Sequence, residues 1–531
     1  MTSFSQPASL RTSRTRHLAL VLLVLINVGV GLLALPGFGE STDELSQHSY
    51  AERTIEAVRS LMNTGTWPAF FSEEEPKQGS HGPAFIMTVM LLRNLLLPAG
   101  TPVEKLSFSH FLYFVTFQVG VVSLFFLARR WMSGLGAFGT TLLFNTQPLL
   151  LGHAFMNPKD VVFMSLLTAS AALGFWIVDR GEKSLPAPSQ SWSNNIRLFL
   201  HQFLCADVWL AGFVLGFTSA IRVAAPLIGL VILAYIILSR KWQVWPRFLA
   251  YGVIAFFFMI LFWPYLWPDP VGRLMGSVLN SAYYPDVHRT LFNGTLVDSQ
   301  HIPLSYIPVL MVLQLTETTL LLLLIGAFSV LKKVRWDLIA LLLIWFAVPA
   351  VGTISMHVNL YNNLRQLFFI FPPLFLVAGL GLDWLLARIQ RPNFRFLVLF
   401  LILLPGLYAN IMLYPYQYIY YNQLIGGVHG AYRVYELDYW DLAFKEAQSY
   451  INQAAGPNAN IFAGDSKPSA QTFARPDLIF NAYGARKKSL EKYDYIIVGT
   501  AGNSDQKFSG FRTVFVVQRD GVPIVFVKKP K

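Results

Sequence analysis

Eleven long apolar runs, joined by short connectors that carry arginine and lysine on every second turn, leave this chain few folds to choose from. The runs fall near 18–37, 107–128, 134–152, 161–178, 203–219, 224–239, 248–266, 304–330, 338–354, 366–386 and 396–413. Only 13% of the 531 residues are charged, about half the share of an ordinary soluble chain. A polytopic α-helical membrane protein of about eleven spans is predicted. The first run, His17 to Leu35, exceeds a signal-peptide core and has no small-residue cleavage site before Gly37, so it is read as a retained span.

The net charge of +12 is a matter of topology. Arg11, Arg14 and Arg16 precede the first run, and Arg129 and Arg130, Arg180, Lys183 and Arg197, Arg240, Lys241 and Arg247, Lys332, Lys333 and Arg335, and Arg388, Arg391 and Arg395 sit in later connectors. Such loops stay cytoplasmic and meet anionic lipid, so membrane lipid is the expected partner and nucleic acid is not. The basic N-terminus (1–17) is then cytoplasmic and the C-terminus extracytoplasmic, most simply in a bacterial inner membrane. The apolar stretch 82–98 carries Pro83, Arg93 and Asn94; counting it as a span would reverse every later loop, so it is read as juxtamembrane or re-entrant. One cysteine, Cys205, excludes an internal disulfide and a multi-cysteine metal site.

This topology divides the chain into a transmembrane module (18–440) with large outer loops at 38–106 and 267–303, and an outer α/β domain (441–531). In that domain Leu442–Asn452 reads as an amphipathic helix, Asn460–Ala463 and Tyr493–Val498 as strands, and Phe511–Gln518 with Val522–Lys528 as a hairpin turned at Asp520-Gly521.

The unusual chemistry gathers on the outer side. Asp43 and Glu44 follow the first span; either suits a general base toward an acceptor hydroxyl or amine, and together they suit a divalent cation. Ser41/Thr42 and Asp43 equally suit a cap for the helix that follows. Lys159 and Asp160, in the turn Asn157-Pro158-Lys159-Asp160, are costly so near a bilayer unless they face a polar cavity or a partner. Arg222, between two apolar runs, and Arg365, opening the tenth, are suited to a lipid phosphate, with snorkelling to the headgroups as the alternative. The 267–303 loop, with Tyr283, His288 and Arg289, is long enough to hold a donor or act as a lid. Glu317 inside the eighth run reads as a helix–helix hydrogen bond.

Taken as a set, these residues resemble the C superfamily of membrane glycosyltransferases, in particular family 39-like enzymes such as protein O-mannosyltransferases and lipid A aminoarabinose transferases. The resemblance covers roughly residues 15–445. It is carried by Asp43-Glu44 with Tyr50-Ala51-Glu52, by Gly65-Thr66-Trp67, His81-Gly82-Pro83-Ala84-Phe85 and Gly152-His153 through Asp160, and by the Arg222 turn. Tyr265-Leu266-Trp267-Pro268-Asp269-Pro270, Leu364-Arg365-Gln366, Tyr414 to Tyr418 and Tyr435 to Trp440 complete the set. It implies inverting transfer of a sugar from a polyprenyl-phosphate donor to an acceptor (protein, lipid or polysaccharide) on the extracytoplasmic face. Asp43, Glu44 and Asp160 would be the catalytic carboxylates, Arg222, Arg365 and Lys159 the phosphate ligands, and His81, Tyr283, His288 and Arg289 would line the substrate loops. Arg222 stands where many relatives have lysine, and His81-Gly82-Pro83 where many have Lys-Pro-Pro. A transporter or flippase of a lipid-linked saccharide is the alternative. It would place its polar residues near the midplane and often shows internal repeats, and no repeat is evident in this sequence.

Overall fold

The computed structural model describes residues 13–69, 81–186, 191–282, 287–332, 336–480, 490 and 492–530. Tyr283, Arg11, Lys333 and Arg335, named above, lie outside them. The first part of the chain forms α1 (Ser13–Ala34), α2 (Thr42–Thr64), α3 (Ala84–Leu96), α4 (Pro102–Ala128), α5 (Gly134–Thr146), α6 (Pro148–Met156) and α7 (Asp160–Ser184). There follow α8 (Trp192–Gln202), α9 (Ala206–Ser219), α10 (Leu227–Leu238), α11 (Trp245–Leu261), α12 (Pro270–Ala282), α13 (Tyr306–Gln314), α14 (Glu317–Lys332), α15 (Trp336–Ser355), α16 (Phe371–Leu386) and α17 (Pro392–Met412).

Among the described residues seven helices are long and apolar enough to cross a membrane, and up to nine if each of two bent pairs is one span. The molecule is a multi-pass helical membrane protein, but the expected set of eleven continuous spans is not what forms. The run at 134–152 splits into α5 and α6 at Gln147, because Pro148 has no N–H for the ladder. The eighth run breaks at Leu315-Thr316 into α13 and α14, which are bent by 113°. The two breaks repair each other. The Gln147 side chain donates to the Gln314 carbonyl at 2.8 Å and accepts from the Thr316 N–H at 3.4 Å, supplying partners that lipid cannot. Glu317 therefore opens α14 and accepts from the Gln423 backbone N–H; it is not a mid-span residue bonded to another helix. The 82–98 stretch contains α3, whose 13 residues reach about 20 Å, short of a hydrocarbon core of about 30 Å.

The basic connectors and the unusual polar residues lie at opposite ends of these helices. Arg129 and Arg130 follow α4, Lys183 ends α7 and Lys241 follows α10, whereas Asp160 and Lys159 open α7 and Arg222 follows α9. The 267–303 loop is more ordered than its length suggests. It holds α12 and a hairpin of β1 (Arg289–Phe292) and β2 (Thr295–Asp298), turned at Asn293-Gly294 with both φ positive.

Beyond α17 the chain continues into a small mixed sheet. Its strands β3 (Asn460–Phe462), β4 (Ile479–Phe480), β5 (Tyr495–Gly499), β6 (Arg512–Arg519) and β7 (Val522–Lys529) are ordered β4-β3-β5-β7-β6. The β6–β7 hairpin turns at Asp520-Gly521, again with both φ positive, and α18 (Phe444–Ala454) packs against it. Glu436 clasps this part to the rest: one carboxylate oxygen accepts from the Leu291 N–H of β1 at 2.6 Å, the other from the Gly502 N–H at 3.0 Å.

A candidate active site at one end of the spans

Four segments converge on a cavity of about 350 Å³, and each is shaped by its own local sequence. The first is the start of α2. Ser41 is its N-cap, and Glu44 in the first turn accepts the Ser41 backbone N–H at 2.8 Å. Capping is therefore done by Ser41 and Glu44, not by Asp43, which is left free to face the cavity. Glu44 is fully buried and its oxygens lie 3.0 and 3.2 Å from His110 Nε2. It does not line the cavity.

The second segment is the 157–160 turn. The Asn157 side-chain oxygen accepts from the backbone N–H groups of Lys159 (3.0 Å) and Asp160 (2.7 Å). Asn157 thus caps the start of α7, and its own amide reaches His153 Nδ1 and Asp160 Oδ2. His153 is buried, 2.8 Å from the Tyr439 hydroxyl.

The third is the Arg222 turn, which sits directly against His81. A Cβ at Gly82 would come within 1.9 Å of the Ala220 carbonyl oxygen, so only glycine lets the two backbones meet. The fourth is the approach to Arg365. Asn362 and Asn363 are both left-handed (φ 57° and 60°), a conformation asparagine tolerates, and the Asn363 side chain is held by Tyr421 and the Glu436 carbonyl.

Arg365 is the hub. It is 4% exposed and reaches Asp160 Oδ2 at 3.0 Å and Asp43 Oδ2 at 3.2 Å, with its guanidinium against the rings of Tyr361 and Trp440. Arg222 lies 3.1 Å from Asp160 Oδ1, off hydrogen-bond alignment, and donates to the Gln366 carbonyl at 2.9 Å. Among the described residues no carboxylate oxygen is within ion-pair distance of Lys159 Nζ. Burial, and then repulsion by Arg222, pull the Lys159 ammonium down to about 7. Burial, and then Lys159 and Arg222, keep His81 well below the usual histidine value, and so neutral. With Lys159 protonated, the three cations exceed the two carboxylates by one charge. Asp160 is buried beneath the arginines, whereas the Asp43 side chain is 31% exposed.

Thus Asp43, Asp160, Lys159, Arg222, Arg365 and His81 come together, and Glu44 and Arg289 do not. Arg289 is an exposed residue of β1, and His288 sits at the rim with its ring 4.2 Å from that of Tyr361. Asp43 and Glu44 turn to different partners and share no position; a divalent cation between them would have to displace Arg365 or His110. Tyr361 and Gln47, also part of the lining, were not singled out from the sequence, and Gln366 entered only through the Leu364-Arg365-Gln366 stretch. A lone tyrosine or glutamine beside a span gives no signal of its own.

Fold and cavity define a multi-pass helical membrane protein with a cation-rich pocket, one accessible carboxylate in its wall, at one end of the spans. Among solved structures the chain is similar to ArnT from Cupriavidus metallidurans in the apo state, with 15% identity, 96% of this chain and 97% of that chain covered, and a TM-score of 0.49. It is also similar to the same protein bound to undecaprenyl phosphate, with 14% identity, coverage of 97% and 98%, and a TM-score of 0.48. A third likeness is to the arabinofuranosyltransferase AftD from Mycobacteria, with 12% identity, 96% of this chain but 40% of that one covered, and a TM-score of 0.45. No family model and no curated protein sequence matches the chain.

Proposed function

We propose that the protein is a membrane glycosyltransferase of the C-superfamily type. It moves a sugar from a polyprenyl-phosphate donor to an acceptor on the extracytoplasmic face of the plasma membrane, with inversion. The observation that carries this reading is one accessible carboxylate, Asp43, beside a cluster with an excess positive charge. The sidedness follows from the basic connectors at the helix ends away from the pocket.

In this reading Arg222 and Lys159 hold the donor phosphate, and Arg365, fixed by Asp160, keeps Asp43 in place. Asp43 accepts the proton of the acceptor hydroxyl or amine as the new bond to the sugar's anomeric carbon forms. The bond from that carbon to the phosphate oxygen breaks, its electron pair stays on the phosphate, and the cations neutralise the charge that develops. A single displacement from the face opposite the phosphate inverts the anomeric centre. Crowding of the charges at one end of the spans favours this over transport, which calls for polar groups near the midplane.

The test is release of polyprenyl phosphate from a panel of polyprenyl-phosphate sugars by the purified protein with cell-envelope acceptor. Arg222→Ala is expected to raise the donor KM about 10–100-fold, the scale of a charge-assisted contact, and to lower melting less than loss of Asp160 does, because Asp160 keeps Arg365. An unchanged KM would return Arg222 to snorkelling. No release from any donor would count against the transferase.

Lys159 makes donor binding pH-dependent. Its folded value near 7 lies below the unfolded one, so stability from this group rises with pH between about 7 and the ordinary lysine value. Phosphate binding runs the other way, because it needs the charged form. Donor affinity measured without turnover should strengthen up to about tenfold from pH 8 to pH 6. Lys159→Arg, charged throughout, should flatten that profile.

A further inference from the structure

Helix α12 is built inside out for a helix that lies on a protein surface in water. Asp269 caps it, accepting the Gly272 N–H at 3.0 Å, and Pro270 begins it. Val271, Met275, Val278 and Leu279 fall within about 100° of its circumference, the width of a single apolar stripe. That stripe points outward: the four side chains are 70%, 59%, 41% and 53% exposed. The inward side carries Ser277, fully buried, Ser281, which lines the cavity, and one apolar residue, Leu274, packed against the core. In water the two faces would be exchanged.

The surroundings indicate what covers the stripe. α12 follows the end of the α11 span, whose exposed residues Leu249, Val253, Phe257 and Leu261 are apolar. The aromatic residues Tyr265 and Trp267 lie between the two, as at a lipid–water boundary. Arg273 fixes the angle, donating to the Tyr265 carbonyl at 2.9 Å with its guanidinium over the Tyr265 ring. Thirteen residues reach about 20 Å, too short to span but suited to lying in the interface.

We propose that α12 is an in-plane interfacial helix seated in the leaflet on the pocket side, with Val271, Met275, Val278 and Leu279 among the lipid chains. It forms the sill over which the chain of a lipid substrate reaches the cavity beside Ser281. The seating stands on geometry alone, whereas the role as a sill rests on the lipid-phosphate reading above.

The first experiment needs no activity. In a Cys205→Ser background, nitroxide labels at Val278→Cys and Leu279→Cys are compared, in phosphatidylcholine/phosphatidylglycerol nanodiscs, with labels at Val253→Cys on the span and Asn458→Cys on the exposed C-terminal sheet domain. Collision with oxygen is expected to outweigh collision with a water-soluble nickel chelate at 278 and 279, as at 253. The reverse balance, as at 458, puts the stripe in water and overturns the seating. Suppression of both collisions means that a second copy or another protein covers it, which also overturns it. The second experiment compares donors. Val278→Asp with Leu279→Asp is expected to cut release about tenfold or more from a long-chain polyprenyl donor and less than about twofold from a short-chain, water-soluble one. Equal losses with both donors overturn the sill. If the wild-type protein releases no sugar at all, the transferase reading and the sill fail together, and the seating stands or falls on the collision result.

Discussion

Asp43→Asn is expected to lower kcat by about 10²–10⁴-fold, the usual contribution of a positioned general base, while the protein stays folded and binds donor normally. The substitution keeps the shape of the side chain and removes only its charge and basicity. Asp43 is partly exposed and its bond to Arg365 is 3.2 Å long, so the loss of stability should stay within about 1 kcal/mol, as for a solvated ion pair. Donor KM should not rise, because removing a negative charge beside Arg365 and Lys159 makes the cluster more receptive to phosphate. A merely structural Asp43 would show the opposite split, with a lower melting temperature and a nearly unchanged kcat. Single-turnover release of polyprenyl phosphate, set beside a melting curve of the same sample, separates the two. Wild-type turnover in the Asn variant would leave Asp43 as a partner of Arg365 and nothing more.

The parts of this molecule legible in the sequence are those set by local chemistry. Apolar runs of about twenty residues have no stable place in water, and the basic connectors told one end of the helices from the other before any contact was known. The Asp520-Gly521 hairpin was readable for the same reason; Asn293-Gly294 carried an equal signal for β1–β2 inside the loop read as a donor holder or lid. Breaks hidden in apolar runs were not legible. Gln314, Thr316 and Glu317 mark the break between α13 and α14, but its stability depends on Gln147, some 167 residues away. The same holds at the site. Asp43 and Glu44 are neighbouring carboxylates in one first turn, and beyond the Ser41–Glu44 spacing of a capping box nothing local assigns their roles. What separates them is that His110, 66 residues on, takes Glu44, whereas Arg365, 322 residues on, takes Asp43.

Asp160 should affect stability far more than Asp43. It is 1% exposed, lies between Arg222 and Arg365, and is held by Asn157. Asp160→Asn leaves the 4%-exposed Arg365 with Asp43 as its single carboxylate within ion-pair distance among the described residues. Breaking one side of a buried pair costs about 3–5 kcal/mol, because the charge left behind is poorly compensated; here, among the described residues, Arg365 keeps only the partly exposed Asp43 as a carboxylate partner, and Arg222 only its bond to the Gln366 carbonyl. A marked drop in melting temperature is therefore expected, along with loss of release, since Arg365 would no longer be anchored to keep Asp43 in place. The double variant Asp160→Asn/Arg365→Gln removes the stranded charge as well. It should recover a substantial part of the stability and none of the activity. Such non-additivity is what two groups of one buried ion cluster show, whereas independent sites would add. If Asp160→Asn melts like the wild type, water reaches the cluster, and the arginines are then held by solvent rather than by Asp160. In that case the charge excess available to a phosphate would not depend on this carboxylate, and the Asp160 variant should bind donor more tightly than the wild type.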